Sequence, residues 1–176
     1  MSFCIYISGT GKRLLGGYTH AATQHHALCV GQRTWLKIRA KKMLEEGLVD
    51  YILDGQTFDL DGVRSMRDNP NHVNTSPFTS YNYHGKGNFA SMVDVVILGA
   101  TEVDLNFNAN VVTHSDGYLL HGIGGWQNCL SARCAMLLVP SFRDRIPVIV
   151  EEVTTLCGPG ELVDVVVTER GIAVNP

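Results

Sequence analysis

The stretch MVDVVILGA, residues 92–100, decides the fold class of this chain. Its continuous apolar run is typical of a central strand that is buried on both faces of a sheet. Three later stretches have the same character and are also predicted to be strands. They are AMLLVP (135–140), IPVIVEEV (146–153) and LVDVVVTE (162–169), with Gly158-Pro159-Gly160 as a turn between the last two.

Helical signals precede this strand-rich half. TWLKIRAKKMLEEG, residues 34–47, is rich in helix-forming residues and places Gly47 where a helix would stop. LVDYIL (48–53) is predicted to be a short strand, and either Asp59 or Asp61 is predicted to cap a brief helix after it. Because helical signals come first in the sequence and buried strands follow, we predict an α/β domain with a mixed, largely parallel sheet flanked by helices.

The composition excludes several classes of protein. With 176 residues the chain fits one ordinary domain, and a net charge of −3 without a basic stripe indicates no nucleic-acid surface. No apolar run reaches the roughly 18 residues that a membrane span needs, so we expect no membrane insertion. The five cysteines are odd in number and form no C-x-x-C pair. They favour reduced thiols in the cytoplasm, and they predict no metal site.

The stretch HGIGGWQNCL, residues 121–130, concentrates glycine. Gly122, Gly124 and Gly125 would let the backbone approach a ligand. Their N–H groups would favour a carbonyl oxygen or a developing oxyanion if WQNCLSA opens a helix. A tight turn between two strands explains the same glycines, and the residues alone do not decide between the two. Neither this spacing nor SGTGK (8–12) fits a nucleotide-binding motif.

Acid and amide side chains recur at alternate positions after the predicted central strand. In an extended segment they would lie on one face, where such a row is costly to bury without partners. The row is either part of a binding site or a solvated sheet edge. Its members are Glu102, Asp104, Asn106, Asn108 and Asn110.

Other candidates for chemistry carry less information. His114 and His121 flank the polar row, and each is either a loop histidine or a base. Cys129, near His121, could be a nucleophile, but nothing identifies an orienting third group. The sequence has no G-x-S-x-G elbow, which a Ser-His-Asp hydrolase would need. Residues 70–90 are polar, aromatic and turn-rich, which indicates a functional loop or a partner contact.

The chain contains, in this order, VDVVILGATEVDLNFNANV, SDGYLLHGIGG and RIPVIVEEVTTLCGPGELVDVVVTERGIAVNP. These three blocks resemble the C-terminal part of the citrate lyase alpha chain family, within the CoA-transferase superfamily. MLEEGLVDYILDGQTFDLDGVRSMRDNPNHV is similar to the segment before them, so the resemblance covers roughly residues 35–176. It implies a CoA-transferase-like domain over residues 31–176, the second of two related domains, after an unmatched segment 1–30.

The resemblance also implies roles for individual residues. Backbone amides of Gly124 and Gly125 would act on the thioester oxygen, and Asn108 and Asn110 would orient the acyl group. These four are the predicted catalytic residues. The residues predicted to bind or shape the substrate pocket are Glu102, Asp104, Gly122, His121, Asp54 and Gln56.

Two departures from the family pattern stand out. Many members of the superfamily use a glutamate nucleophile that carries CoA covalently, whereas the comparable stretch YILDGQTFD has Asp54 and Gln56 instead. After the paired glycines the family pattern continues with a His and then small and polar residues. This chain has Trp126, Gln127 and Asn128 there.

The implied activity is the exchange of acetyl for citryl on the acyl carrier protein of a citrate lyase complex. Citrate's own carboxylate would be the nucleophile, and the reaction would pass through a mixed anhydride. No cofactor would be bound covalently in this chain, because CoA or a CoA-derived group would arrive on the acyl carrier (gamma) subunit. A beta subunit would cleave the citryl thioester within an oligomeric complex. A CoA-transferase or hydrolase acting on free acyl-CoA, and an inactive truncated domain that only binds partners, are the alternatives.

Overall fold

A computed structural model describes residues 3–9, 25–31, 41–57, 59–75 and 93–176 of the protein, with backbone alone for residues 3–9, 25–31 and 56. The predicted loop over residues 70–90 lies largely outside these ranges, as does the first part of the helix predicted from residue 34. The strands are β1 Phe3–Gly9, β2 His25–Gly31, β3 Tyr51–Gln56, β4 His72–Asn74, β5 Val95–Leu98, β6 Glu102–Asp104, β7 Ala109–Asn110, β8 Cys134–Leu138, β9 Phe142–Arg143, β10 Ile146–Pro147, β11 Ile149–Val150, β12 Val165–Thr168 and β13 Gly171–Val174. The helices are α1 Leu60–Asp68 and α2 Trp126–Cys129, with further helical residues at 41–45 and a 3-10 turn at Gly160–Leu162.

The main sheet has eight strands in the order β13-β12-β8-β5-β1-β2-β3-β4. The pairs β2–β3, β3–β4, β5–β8 and β8–β12 are parallel, and β1 is antiparallel to both β2 and β5. Six strands therefore run in one direction, while β1 and the edge strand β13 run in the other. The prediction of a mixed, largely parallel sheet in an α/β domain is confirmed.

The predicted central strand lies inside the sheet, between β1 and β8, but only residues Val95–Leu98 of the apolar run are extended. Val96 and Leu98 are fully buried on one face, whereas Val95 and Ile97 are half-buried on the other. The register places Val96 beside Ala135 and Leu98 beside Leu137, and Leu137 in turn beside Val166. Each such buried aliphatic side chain contributes about 1.5–3 kcal/mol, so this face forms the core.

The stretch IPVIVEEV is not one strand, which corrects the prediction. Ile146–Pro147 pairs with Phe142–Arg143 in a hairpin, and Ile149–Val150 pairs in parallel with β6 in a separate three-stranded sheet. Pro147 has no N–H to donate to a ladder, so it suits only a short edge strand. Val148, between the two pieces, is buried and donates its N–H to the Ser141 carbonyl.

Both early helix signals are confirmed where the structure describes them. The helical residues 41–45 end at Gly47, whose φ of +70° is the left-handed conformation that favours glycine. Asp59, rather than Asp61, caps α1, because its Oδ1 accepts a hydrogen bond of 2.7 Å from the Gly62 N–H. No helix within the described stretches is long and apolar enough to cross a bilayer.

The cap gives a first prediction. Asp59→Ala should lower the free energy of unfolding by about 1 kcal/mol, since it leaves an N-terminal amide of α1 without its acceptor. Urea unfolding followed by circular dichroism measures the change. Asp61→Ala is the matched control because Asp61 only forms an exposed ion pair with Arg64. Equal losses in the two variants would contradict the assignment of the cap.

The carboxyl ends of β5, β8 and β12 lie at one edge of the sheet because these strands are parallel. Ser141, which follows β8, donates its N–H and its hydroxyl to the Glu169 carboxylate at the end of β12. Arg170 adds a hydrogen bond from Nε to the Ser141 hydroxyl and lies over the Phe142 ring. This edge, where α/β sheets place their ligands, is therefore held together by side chains as well as by the sheet.

The Glu169 contact predicts a defined acid sensitivity. Hydrogen bonding from the Ser141 hydroxyl, and then from the Ser141 N–H, lowers the pKa of Glu169 from 4.5 to about 2. A lowered carboxyl pKa stabilises the fold above the ordinary value, and this stabilisation is lost as the pH falls from about 4.5 to about 2. Glu169→Gln should therefore flatten the fall of the melting temperature in this window, measured against wild type. A Glu161→Gln variant, changed at another exposed glutamate, should keep the wild-type slope.

Candidate functional site

The polar row after β5 forms a hairpin instead of continuing as one extended segment, which corrects the expectation of a single polar face. β6 and β7 are antiparallel, so that Glu102 lies opposite Asn110. The reversal is built around Asp104, whose Oδ1 accepts from the N–H groups of Asn106 (2.9 Å) and Asn108 (3.0 Å). Aspartate favours such turns because its side chain replaces a backbone acceptor. Phe107, at φ +64°, completes the turn.

Asn108 joins this hairpin to a distant segment. Its Nδ2 donates to Asp104 Oδ2 at 3.0 Å, and its Oδ1 accepts from the Gly160 N–H at 2.8 Å. Asp104 is buried and Asn108 half-buried. The two side chains therefore fix the hairpin on Gly160, and Asn108 uses both ends of its amide within the protein.

Glu102 and Asn110 form a buried polar pair across the hairpin. Asn110 is fully buried, and its Nδ2 donates to Glu102 Oε2 at 2.8 Å and to Thr113 Oγ1 at 3.0 Å. Glu102, 2% exposed, also accepts from the N–H (2.8 Å) and the hydroxyl (3.0 Å) of Thr154. Burial raises the pKa of Glu102, but hydrogen bonds from Asn110, Thr154 and Ser115 outweigh it, and the net pKa lies below the ordinary value. Glu102 is therefore ionised, and the hydrogen bonds of both side chains are made within the protein.

The glycine loop, residues 121–125, is open. Gly122 and Gly124 are exposed, and a Cβ built on either would meet no atom within 4 Å. Gly124 has a φ of +59°, a conformation that L side chains rarely adopt. Within the described residues, the backbone N–H groups of residues 122–125 have no acceptor. A run of four free donors on an open loop can receive an anionic or carbonyl oxygen.

Trp126, which directly follows the glycine loop, anchors it to the main sheet. The side chain is 1% exposed, and its Nε1 donates to the Gly99 carbonyl at 2.9 Å, just beyond β5. The Trp126 N–H bonds to the Ile123 carbonyl and closes the loop. Gln127 donates its Nε2 to the Cys157 carbonyl at 2.7 Å. The predicted helix opening at Trp126 is present but has only the four residues of α2.

Residues 157–160, which include the predicted turn Gly158-Pro159-Gly160, contact both the hairpin and the helix after the glycine loop. Ala109 exchanges backbone hydrogen bonds with Gly158, at 2.9 and 3.0 Å, and accepts another from Cys157. Gln127 reaches the same segment from the other side. The sequence signal for this contact was the pair of glycines around Pro159. The residues that contact these glycines are far away in the sequence, so no local pattern indicated where the glycines would lie.

The structure also describes the two histidines and the cysteine that the sequence suggested as candidates. His121 is half-buried, with Nδ1 2.9 Å from the Gly122 carbonyl, and His114 is exposed. Cys129 is fully buried, and its thiol donates to the Gly125 carbonyl.

Asp54 lies further along the sheet. β3 is three strand positions from β5, about 14 Å at the usual strand spacing. The Asp54 carboxylate is 1% exposed, accepts from the Thr57 hydroxyl at 2.5 Å, and lies 3.5 Å from His72 Nε2. Gln56 ends β3, and its side chain is outside the described part of the chain. The structure therefore brings together the glycine loop and the hairpin, and it separates both from Asp54.

The arrangement offers hydrogen-bond donors and oriented amides. Among the described residues, no group of three or more His, Cys, Asp or Glu side chains could hold a metal ion. The open loop supplies neutral donors, and the adjacent hairpin carries a fixed carboxylate–amide network. Such a site is suited to polarising a carbonyl and stabilising the oxyanion that forms on attack.

Residues 31–176 match the family profile described as "Citrate lyase, alpha subunit (CitF)". The citrate lyase alpha chain of Haemophilus influenzae is 44% identical over 133 residues, which are 75% of this chain and 27% of that protein. The chain of Escherichia coli is 41% identical over the same length and share of this chain, and 26% of its own. This chain therefore spans about a quarter of the curated relatives it matches.

Solved structures agree with the sequence match. A crystal structure of the alfa subunit of citrate lyase from Streptococcus mutans, in complex with citrate, superposes with a TM-score of 0.77. The identity is 40%, and the match covers 85% of this chain and 29% of that chain. RipA from Yersinia pestis has a TM-score of 0.57 at 14% identity, covering 76% of this chain and 32% of that one, which shows a shared fold.

Proposed function

The chain belongs to the citrate lyase alpha subunit family, and from this premise we propose that it exchanges acetyl for citryl on the acyl carrier protein of a citrate lyase complex. The observation that carries the proposal is the open glycine loop, with four backbone N–H groups that have no acceptor in the described structure. A thioester carbonyl is a neutral acceptor that becomes an oxyanion on attack. A row of preorganised amides favours it without the need for a charged residue.

The proposed reaction has two balanced steps. A citrate carboxylate attacks the acetyl thioester carbonyl, the C–S bond breaks, and the carrier thiolate leaves behind a citric–acetic anhydride. The thiolate then attacks the citryl carbonyl of the anhydride, which gives citryl thioester and acetate. Each step passes through a tetrahedral oxyanion, and each hydrogen bond to it is worth about 3–4 kcal/mol when preorganised.

In this proposal the substrates supply the nucleophiles and the protein positions them. Gly124 and Gly125 donate to the oxyanion, with Gly122 and His121 at the mouth of the loop. Asn108 and Asn110 are positioning residues, because their amides are engaged by other groups of the protein, Asn108 by Asp104 and Gly160 and Asn110 by Glu102. They orient the acyl group by fixing the hairpin, and Glu102 and Asp104 hold them in place.

The proposal needs no covalent enzyme–CoA intermediate. Asp54, at the place of the superfamily's glutamate nucleophile, is 1% exposed and hydrogen-bonded to Thr57. A buried carboxylate of this kind is poorly placed to attack a thioester. CoA or a CoA-derived group would therefore arrive on an acyl carrier (gamma) subunit, and a beta subunit would cleave citryl thioester in a cytoplasmic oligomer. The names of the relatives, which are alpha subunits, support such an assembly.

The test is a comparison of acyl donors. The chain, alone and mixed with lyase and acyl carrier subunits, is incubated with citrate and either acetyl-acyl carrier protein or acetyl-CoA. Acetate release and the mass of the carrier report the exchange. Citryl-acyl carrier protein formed in preference to citryl-CoA supports the proposal. Exchange on free acyl-CoA alone would indicate a CoA-transferase, acetate release without citryl product a hydrolase, and binding without turnover a partner-binding domain.

A further inference from the structure

We infer that residues 157–160 are a positioning wedge for the proposed site, and that Trp126 and Gly158 are a size-matched pair that sets where the glycine loop sits. This inference deepens the proposed function and rests on it for its catalytic consequence. The wedge is defined as Cys157, Gly158, Pro159 and Gly160. It lies between the helix that follows the glycine loop and the hairpin of β6 and β7.

The first contact of the wedge is with Trp126. A Cβ built on Gly158 would lie 2.4 Å from Trp126 Cζ3 and 2.5 Å from Cη2, far inside normal contact. Both atoms belong to the six-membered ring of the indole, and the indole is fixed at its other side by the 2.9 Å bond from Nε1 to the Gly99 carbonyl. The ring is therefore held at one end by a hydrogen bond and packed at the other end against Gly158. Any side chain at position 158 must move Trp126, and with it the glycine loop that Trp126 closes.

The second contact of the wedge is with the hairpin. A Cβ on Gly160 would lie 1.8 Å from the Asn106 carbonyl oxygen and 3.0 Å from the Asn108 nitrogen. The Gly160 N–H also donates to Asn108 Oδ1 at 2.8 Å. Backbone atoms cannot move aside as a flexible side chain does. Only glycine therefore fits at position 160, where two backbone segments approach each other closely.

Together these contacts make one rigid spacer. On the side of the glycine loop, Trp126 packs against the wedge and Gln127 hydrogen-bonds to it. On the side of the hairpin, Ala109 and Asn108 hydrogen-bond to it. The separation between the free N–H groups and the amides of the hairpin is therefore fixed through the wedge. Catalysis by positioning depends steeply on such separations, since a misplacement of about 1 Å can cost about 100-fold in rate.

The experiment uses the full chain with Trp35→Phe, which leaves Trp126 as the sole tryptophan. In this background Gly158→Ala should shift the Trp126 emission to longer wavelength and lower kcat for acyl exchange by about 10- to 100-fold, with KM changed less than about 3-fold. Adding Trp126→Phe removes the two atoms that clash. The double variant should recover most of kcat, to within about 5-fold of the Trp126→Phe single variant.

Val163→Ala is the control for a purely structural effect, because Val163 is a buried core residue shortly after the wedge. The melting temperatures of Val163→Ala and Gly158→Ala are measured first, and kcat is then compared at a temperature at which both variants are folded. A fall in kcat no larger than in Val163→Ala, unchanged Trp126 emission in Gly158→Ala, or no recovery in the double variant would overturn the inference. A folded wild type that shows no exchange at all would instead remove the proposed function, and the emission shift would still decide the position of the ring.

Discussion

Gly125→Val should lower acyl exchange by at least about 100-fold, the range seen when a single oxyanion donor is lost. Gly125 has φ −85° and ψ 11°, which lie outside the left-handed region that favours glycine. The two methyl groups of the valine would crowd the free N–H groups of residues 122–125. The loss should therefore appear in kcat while the protein remains folded.

The matched control for this change is Gly171→Val. Gly171 is exposed, begins the edge strand β13, and has no atom within 4 Å of a built Cβ. Valine is favoured in strands, so this variant should keep its activity and its melting temperature. Acetate release from acetyl-acyl carrier protein with citrate measures both variants. If Gly125→Val turned over like wild type, the glycine loop could not be the oxyanion site, whatever the chain's activity.

The fold could be predicted from sequence where one local signal suffices. Apolar runs predicted three of the sheet's strands. A cap at either Asp59 or Asp61 and a stop at Gly47 predicted helix boundaries, because capping and left-handed conformations are properties of a few neighbouring residues. IPVIVEEV failed because Pro147 and the burial of Val148 divide it between two small sheets. The apolar content of this stretch is the same whether it forms one strand or two. Only the pairing partners distinguish one strand from two.

The candidate site was less accessible to sequence for a related reason. The glycines and the polar row were visible, but the hairpin that pairs Glu102 with Asn110 depends on side-chain acceptors at Asp104. The wedge depends on contacts between positions 109 and 158 and between 127 and 157. Local patterns do not encode such pairings. Trp126 shows the same limit, since its sequence neighbours do not indicate that its side chain is buried and hydrogen-bonded to Gly99.

Glu102→Ala should produce the largest loss of stability, about 3 kcal/mol or more. The carboxylate is the acceptor for Asn110 and for two donors of Thr154, and alanine would leave these buried groups without partners and open a cavity. For a chain of this length the melting temperature should fall by roughly 6–12 °C. Glu152→Ala is the matched control, since Glu152 is exposed and only a few residues from Thr154. It should change the melting temperature by no more than about 2 °C.

Glu102→Gln separates the charge of this side chain from its hydrogen bonds. The Gln carbonyl can accept from Asn110 and the Thr154 N–H, and the Thr154 hydroxyl can turn to accept from the new amide, so the cost at neutral pH should be about 1 kcal/mol. The pKa of Glu102 is lowered, so its ionised form stabilises the fold above the ordinary value near 4.5 and loses this effect as the pH falls. The Gln variant should therefore approach wild-type stability in acid. If Glu102→Ala were tolerated like Glu152→Ala, the hairpin would not depend on this network, and Asn110 could not be held in place by it.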